Sequence, residues 1–213
     1  MNCAAQPMVG VIDYQAGNIQ SIINAINHLG AKSCRVSTPA DLADVSHLVL
    51  PGVGAFGFCA DRLRTSGLLG ALEVWALADH RPILGICVGM QLLADSSEEL
   101  GHQRGLGWGG GRVQKLQPTC SEIRVPHVGW NTVTFDEDFG EYRRGDNADF
   151  YFDHSYAYQA PTLAHRVAMC THGQSFCAVI RSGNLVAAQF HPEKSQTAGM
   201  RFLRGFLDMR ADA

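Results

Sequence analysis

The chain has no apolar run approaching the roughly 18 residues that a membrane span requires, so a transmembrane helix is not expected. It has no CxxC pair and no HExxH, and its nine histidines are scattered without a close ligand pair, which removes the usual zinc and dithiol-redox patterns. No metal and no cofactor are expected. Charge is sparse and nearly balanced, with 17% charged residues and a net charge of -3, which gives no reason to expect nucleic acid or an anionic membrane as partner. Internal repeats and low-complexity linkers are also missing. Residues 1–7 lack the basic and apolar regions of a secretory signal and read as an unstructured lead-in. Seven cysteines, odd in number and widely spaced, suit reduced thiols and hence a cytoplasmic location.

What is present is 46% hydrophobic residues in 213, enough for one domain, 1–213, with a core that needs no disulfide. Met8 to Ile12 is a compact apolar run of the buried-strand type. Asn18 then stands as N-cap of a helix carrying Ile19, Ile22, Ile23, Ile26 and Leu29, with Gly30 as its stop. Cys34 to Val36 and His47 to Leu50 read as strands, Pro39 to Ala43 as a short helix, and Leu68 to Asp79 as a longer one. After Ile83 to Ile86 the spacing of Met90, Leu92 and Leu93 is helical again. This alternation predicts an α/β fold, with a central mostly parallel sheet and helices on both faces. Beyond about Glu99 the texture becomes β-rich: Arg112 to Leu116, Asn131 to Phe135, Phe150 to Phe152, Ala164 to Thr171, Ser175 to Arg181 and Leu185 to Phe190. These are expected to add antiparallel strands at the edge of the first sheet. A helix from Gln196 to Met209 closes the chain.

Three short segments could carry chemistry. Gly85-Ile86-Cys87-Val88-Gly89 has the small-x-nucleophile-x-small layout of a strand-to-helix elbow, in which glycines permit the tight turn. The same residues would equally suit a packed cysteine, since free cysteine is among the most buried residue types. His191-Pro192-Glu193 follows an apolar strand and could supply a base and its orienting carboxylate. A histidine at a strand end is, however, more often incidental. Pro51-Gly52-Val53-Gly54 is a glycine-rich strand end able to aim a backbone N–H at a developing oxyanion, alongside the amide of Val88. It could also be a plain turn, or an incomplete dinucleotide loop.

Taken together these segments resemble the class I, or triad, glutamine amidotransferases. Pro126 to Asn131 (PHVGWN), Tyr151 to Tyr156 (YFDHSY), Asp13-Tyr14 with Gly17-Asn18, and Ser96 to Glu99 are similar to the glutaminase subunits of imidazole glycerol phosphate synthases, and the likeness runs from about residue 8 to 209. It implies the three-layer fold of that family and a glutaminase half-reaction in histidine biosynthesis, carried by Cys87, His191 and Glu193. By the same resemblance Val53 and Val88 form the oxyanion hole. Gly52, Gly54, Gln91, Glu99 (or Glu98), His154 and Ser155 bind glutamine. Asn18, Trp130, Tyr156 and Lys194 lie at the mouth facing a (β/α)8-barrel cyclase subunit, the heterodimer partner to which ammonia is channelled. The chain departs from the family pattern at Gln15, commonly glycine, at Asp153, and in the run 107–111. Rival expectations are a paralogous subunit serving another synthase, a stand-alone cysteine hydrolase, and a non-catalytic scaffold.

Overall fold

In the computed structural model, residues 7–160 and 166–210 are described; most of the expected lead-in and the start of the strand expected from Ala164 lie outside them. The first half runs β1 (Met8–Ile12), α1 (Ile19–His28), β2 (Lys32–Val36), β3 (His47–Gly52), α2 (Phe56–Thr65), α3 (Leu69–Glu73), β4 (Ile83–Cys87) and α4 (Val88–Leu92). The second half adds β5 (Ser96–Ser97), β6 (Gln103–Arg104), β7 (Arg112–Lys115), β8 (His127–Phe135), β9 (Asn147–His154), β10 (Tyr156–Gln159), β11 (Arg166–His172), β12 (Gln174–Ser182), β13 (Leu185–Ala188) and α5 (Gln196–Leu207).

Nine strands form one sheet in the order β2-β1-β3-β4-β13-β12-β11-β8-β9. The first five are parallel and the last four antiparallel, as the texture of the two halves implies. β4 is buried at every position, as a strand covered on both faces must be. The step from β1 to β2 runs one way along the sheet and the step from β3 to β4 the other, so right-handed crossovers put α1 and α2–α3 on opposite faces.

Several elements differ from expectation. Helix α2 has the pattern Phe56, Cys59, Ala60, Leu63 on its buried face but no capping side chain of its own. Its first amide is instead held by Glu99 Oε2 at 2.7 Å. The helix expected from Leu68 changes to a π-helical turn over Val74–Ala78, and the short helix at Pro39 is a 3-10 turn with a Thr38–Asp41 capping box. Asn18 precedes α1 without a side-chain cap bond. The additions are not confined to the sheet's edge: β10-β7-β5-β6 make a second, four-stranded sheet. The chain passes from the large sheet to the small one at Ser155, between β9 and β10.

Candidate active site

Because β3, β4 and β13 are parallel neighbours, their carboxyl ends meet at one edge, and Gly52 lies in register with Cys87. Cys87 adopts φ 54°, ψ -113°, a backbone that a non-glycine residue holds only when its surroundings force it. The surroundings are backbone packed on backbone. A Cβ on Gly89 would meet Leu50 O at 1.9 Å, and one on Gly85 would meet Gly89 O at 2.8 Å. Gly52 is equally closed, with Gly89 N at 2.6 Å from a built Cβ. The elbow is therefore present, and its glycines are required by contact.

His191 reaches the same edge three residues beyond β13. Its Nδ1 is 2.9 Å from Glu193 Oε1, with side-chain exposures of 4% and 1%, so the pair is sealed from water. Burial works against a charge on His191, but hydrogen bonds and opposite charge from Cys87 and Glu193 outweigh it and raise its pKa to about 10. Ser195 fixes the turn: its hydroxyl donates to His191 O at 2.6 Å and accepts from Tyr151 N at 3.0 Å. The second carboxylate oxygen, Glu193 Oε2, is buried without a partner.

A cleft of about 340 Å³ opens over Cys87 and His191. Of the residues expected at the site, Val53, Gly54, Cys87, Val88, Gln91, Glu99, His154, Ser155, Tyr156, His191 and Lys194 line it. Glu193 stands behind His191. Gly52 is not on the wall but packs beneath the elbow. Glu99, not Glu98, faces the cleft; Glu98 Oε1 accepts from Lys115 N instead. Asn18 and Trp130 are outside it. Asn18 is exposed, and Trp130, 49% exposed, projects from β8.

The two oxyanion amides stand differently. Val88 N opens α4, where a first-turn N–H has no intrahelical partner. Val53 N donates to Ala16 O at 3.1 Å, and Tyr14 Oη donates to Pro51 O, one peptide earlier, at 2.6 Å. Gln15, where the family commonly has glycine, adopts the left-handed backbone (φ 65°) that favours glycine. Asp13 Oδ1 accepts its amide and Arg62 Nη1 donates to its side chain. Asp153 is exposed, so its carboxylate needs no buried partner.

Gln189 was not singled out by the sequence. It is wholly buried, its Nε2 lies 3.9 Å from Cys87 Sγ, and its Oε1 accepts from Gln91 Nε2 at 3.2 Å. Its place two residues before His191, both just beyond the end of β13, is the signal that could have found it.

Residues 10–209 match the family described as glutamine amidotransferase class-I. The chain belongs to that family. Among curated relatives, the imidazole glycerol phosphate synthase subunit HisH of Zymomonas mobilis is 42% identical over 212 residues, covering 98% of this chain and 99% of that one. The chloroplastic imidazole glycerol phosphate synthase hisHF of Arabidopsis thaliana is 42% identical over 209 residues, 97% of this chain but 35% of its own length. A crystal structure of a glutamine amidotransferase superposes with TM-score 0.73 at 20% identity, covering 94% and 97% of the two chains, and shares the fold. Within this amidotransferase four of the other thiols are poorly suited to attack. Burial raises Cys34 and Cys177, and pushes Cys59 up to about 11 and Cys170 up to about 12.

Proposed function

We propose that this amidotransferase is the glutaminase subunit of imidazole glycerol phosphate synthase, a single catalytic domain that hydrolyses glutamine and passes ammonia to a (β/α)8-barrel cyclase in the cytoplasm. The observation that carries the chemistry is the sealed His191–Glu193 pair set against the one cysteine on a strained elbow. The observation that supports the pathway is 42% identity across the full length of a HisH subunit. A relative in which the matching region is 35% of a longer chain, named hisHF, supports a second component working beside it. Among the described residues no helix is long and apolar enough to cross a membrane.

In this reading His191 stands protonated, as its pKa of about 10 requires at neutral pH, and the Cys87 sulfur attacks the side-chain carbonyl carbon of glutamine as the thiolate. The oxyanion is met by the amides of Val88 and Val53. His191 gives its proton to nitrogen as the C–N bond breaks and ammonia leaves. Water, losing a proton to the now neutral imidazole, then cleaves the γ-glutamyl thioester to glutamate and the Cys87 thiolate. Glu193 holds Nδ1 throughout, which favours the imidazolium present at the start of the cycle and restored by hydrolysis. Ammonia released into water at neutral pH would become ammonium, which is no nucleophile, so a closed route to the cyclase is needed. In the resting geometry the Val53 amide is turned to Ala16 O; rotation of the Gly52–Val53 peptide frees it, and the partner is the agent of that rotation.

A diazo-ketone analogue of glutamine tests the nucleophile in the presence of the cyclase subunit. Mass mapping should find adduct on Cys87 and none on the other six cysteines; adduct elsewhere, or none on Cys87, refutes the assignment. Formation of imidazole glycerol phosphate from glutamine by the reconstituted pair tests the pathway. Its absence with a competent cyclase would leave the rival paralogous synthase.

A further inference from the structure

Two donors converge on the carbonyl of Tyr156 at the rim of the cleft: Gln91 Nε2 at 2.8 Å and His154 Nδ1 at 2.9 Å. A carbonyl only accepts, so His154 carries its proton on Nδ1 and leaves Nε2 as an acceptor. That nitrogen is 3.0 Å from His127 Nδ1, which must therefore be the donor. The other ring nitrogen, His127 Nε2, is then a lone pair, and Asn131 Nδ2 donates to it at 3.1 Å. Asn131 has no freedom to reverse. Its Nδ2 also donates to Thr171 O at 3.0 Å, and its Oδ1 accepts Thr132 N at 2.8 Å. Every bond in the row Asn131, His127, His154, Tyr156 thus points the same way, and both rings must be neutral. Their surroundings agree, since burial lowers His127 to about 3 and His154 to about 4.

From Tyr156 the row continues to the nucleophile. Gln91 uses its Nε2 protons on Tyr156 O and Gln189 Oε1, which leaves Gln91 Oε1 as the atom able to address a ligand in the cleft. The Nε2 of Gln189 lies against Cys87 Sγ. We propose that Asn131 and His127 are positioning residues. Through one fixed tautomer of His154, they hold the Tyr156 carbonyl and the Gln91 amide in the orientation that receives the glutamine head group. This rests on the glutaminase reading of the cleft.

The polarity of the row makes it testable apart from packing. Nitrogen-15 spectra of the chain in complex with its cyclase should show both His127 and His154 as neutral Nδ1–H rings, unchanged from about pH 6 to about pH 9. An Nε2–H form, or titration of either ring in that window, overturns the proposal. The isosteric Asn131→Asp offers only acceptors, so His127 can keep both bonds only by carrying a second proton. Facing His127 are His154, His172 stacked at 4.0 Å, and the rings of Phe152 and Phe176; His191 acts on His154 from the cleft side. The new carboxylate raises the His127 pKa, so the row is intact below it and lost as pH rises through it. The KM for glutamine of Asn131→Asp should therefore climb about tenfold with pH, whereas Asn131→Leu should show about that rise throughout, the scale of one lost hydrogen bond to a ligand-binding group. An Asn131→Asp chain whose KM follows wild type at every pH would mean that only shape matters and would sink the idea. The tautomer spectra need no turnover, so failure of Cys87 labelling would remove the glutaminase reading without being confused with failure of the row.

Discussion

His191 is the residue whose charge links the site to stability. Its folded pKa of about 10 lies above the roughly 6.5 of an unconstrained histidine, so its contribution is full below 6.5 and is lost as pH rises towards 10. Thermal melts of wild type and His191→Gln should differ most below about pH 6.5 and converge as pH climbs from there to about 10; a constant difference would place the charge elsewhere. Cys87, His191 and Glu193 were legible as residues because their chemistry survives in a linear string: a cysteine between glycines, and a histidine tied by proline to a carboxylate. Gln189 and Asn131 were not, since an amide announces nothing until its partners, 102 and 4 positions away, are in place.

Among the elements, α1 and β4 could be read directly, because apolar spacing and burial coincide in them. Helix α2 could not be read from its start, as Ala55 is no cap and Glu99, 43 positions on, does that work. Strand β8 begins earlier than its apolar pattern because its inward residues at the front, His127, Gly129 and Asn131, include no large apolar side chain. The elbow supplies a paired test at this scale. Gly89→Ala should cost about 3 kcal/mol or more, because the new methyl meets rigid backbone at 1.9 Å. Gly70→Ala, inside α3 with nothing within 4 Å, should stabilise by about 0.5–1 kcal/mol. Denaturant midpoints of the two variants would check both, and equal midpoints would contradict the packing account.

At the scale of the molecule, the second sheet was missed because its strands are short and pair across long loops, whereas the switch from parallel to antiparallel order was visible in composition. The resting bond from Val53 N to Ala16 O has a whole-molecule readout. In the isolated chain, glutaminase turnover should be slow and the Val53 amide protected from hydrogen exchange. With cyclase and its ligand bound, turnover should rise by about 10² or more, the usual worth of one oxyanion donor, and that amide should exchange faster. High turnover by the chain alone would contradict this.

The position of β13 also orders events during synthesis. This strand pairs β4 to β12 and brings the base beside a nucleophile made long before it. Until it emerges from the ribosome, β4 keeps one edge of unpaired N–H and C=O groups between apolar faces, an invitation to pair with the wrong strand. The nascent chain holds a thiol with no base, chemically mute, and the step that closes the sheet is the same step that arms it.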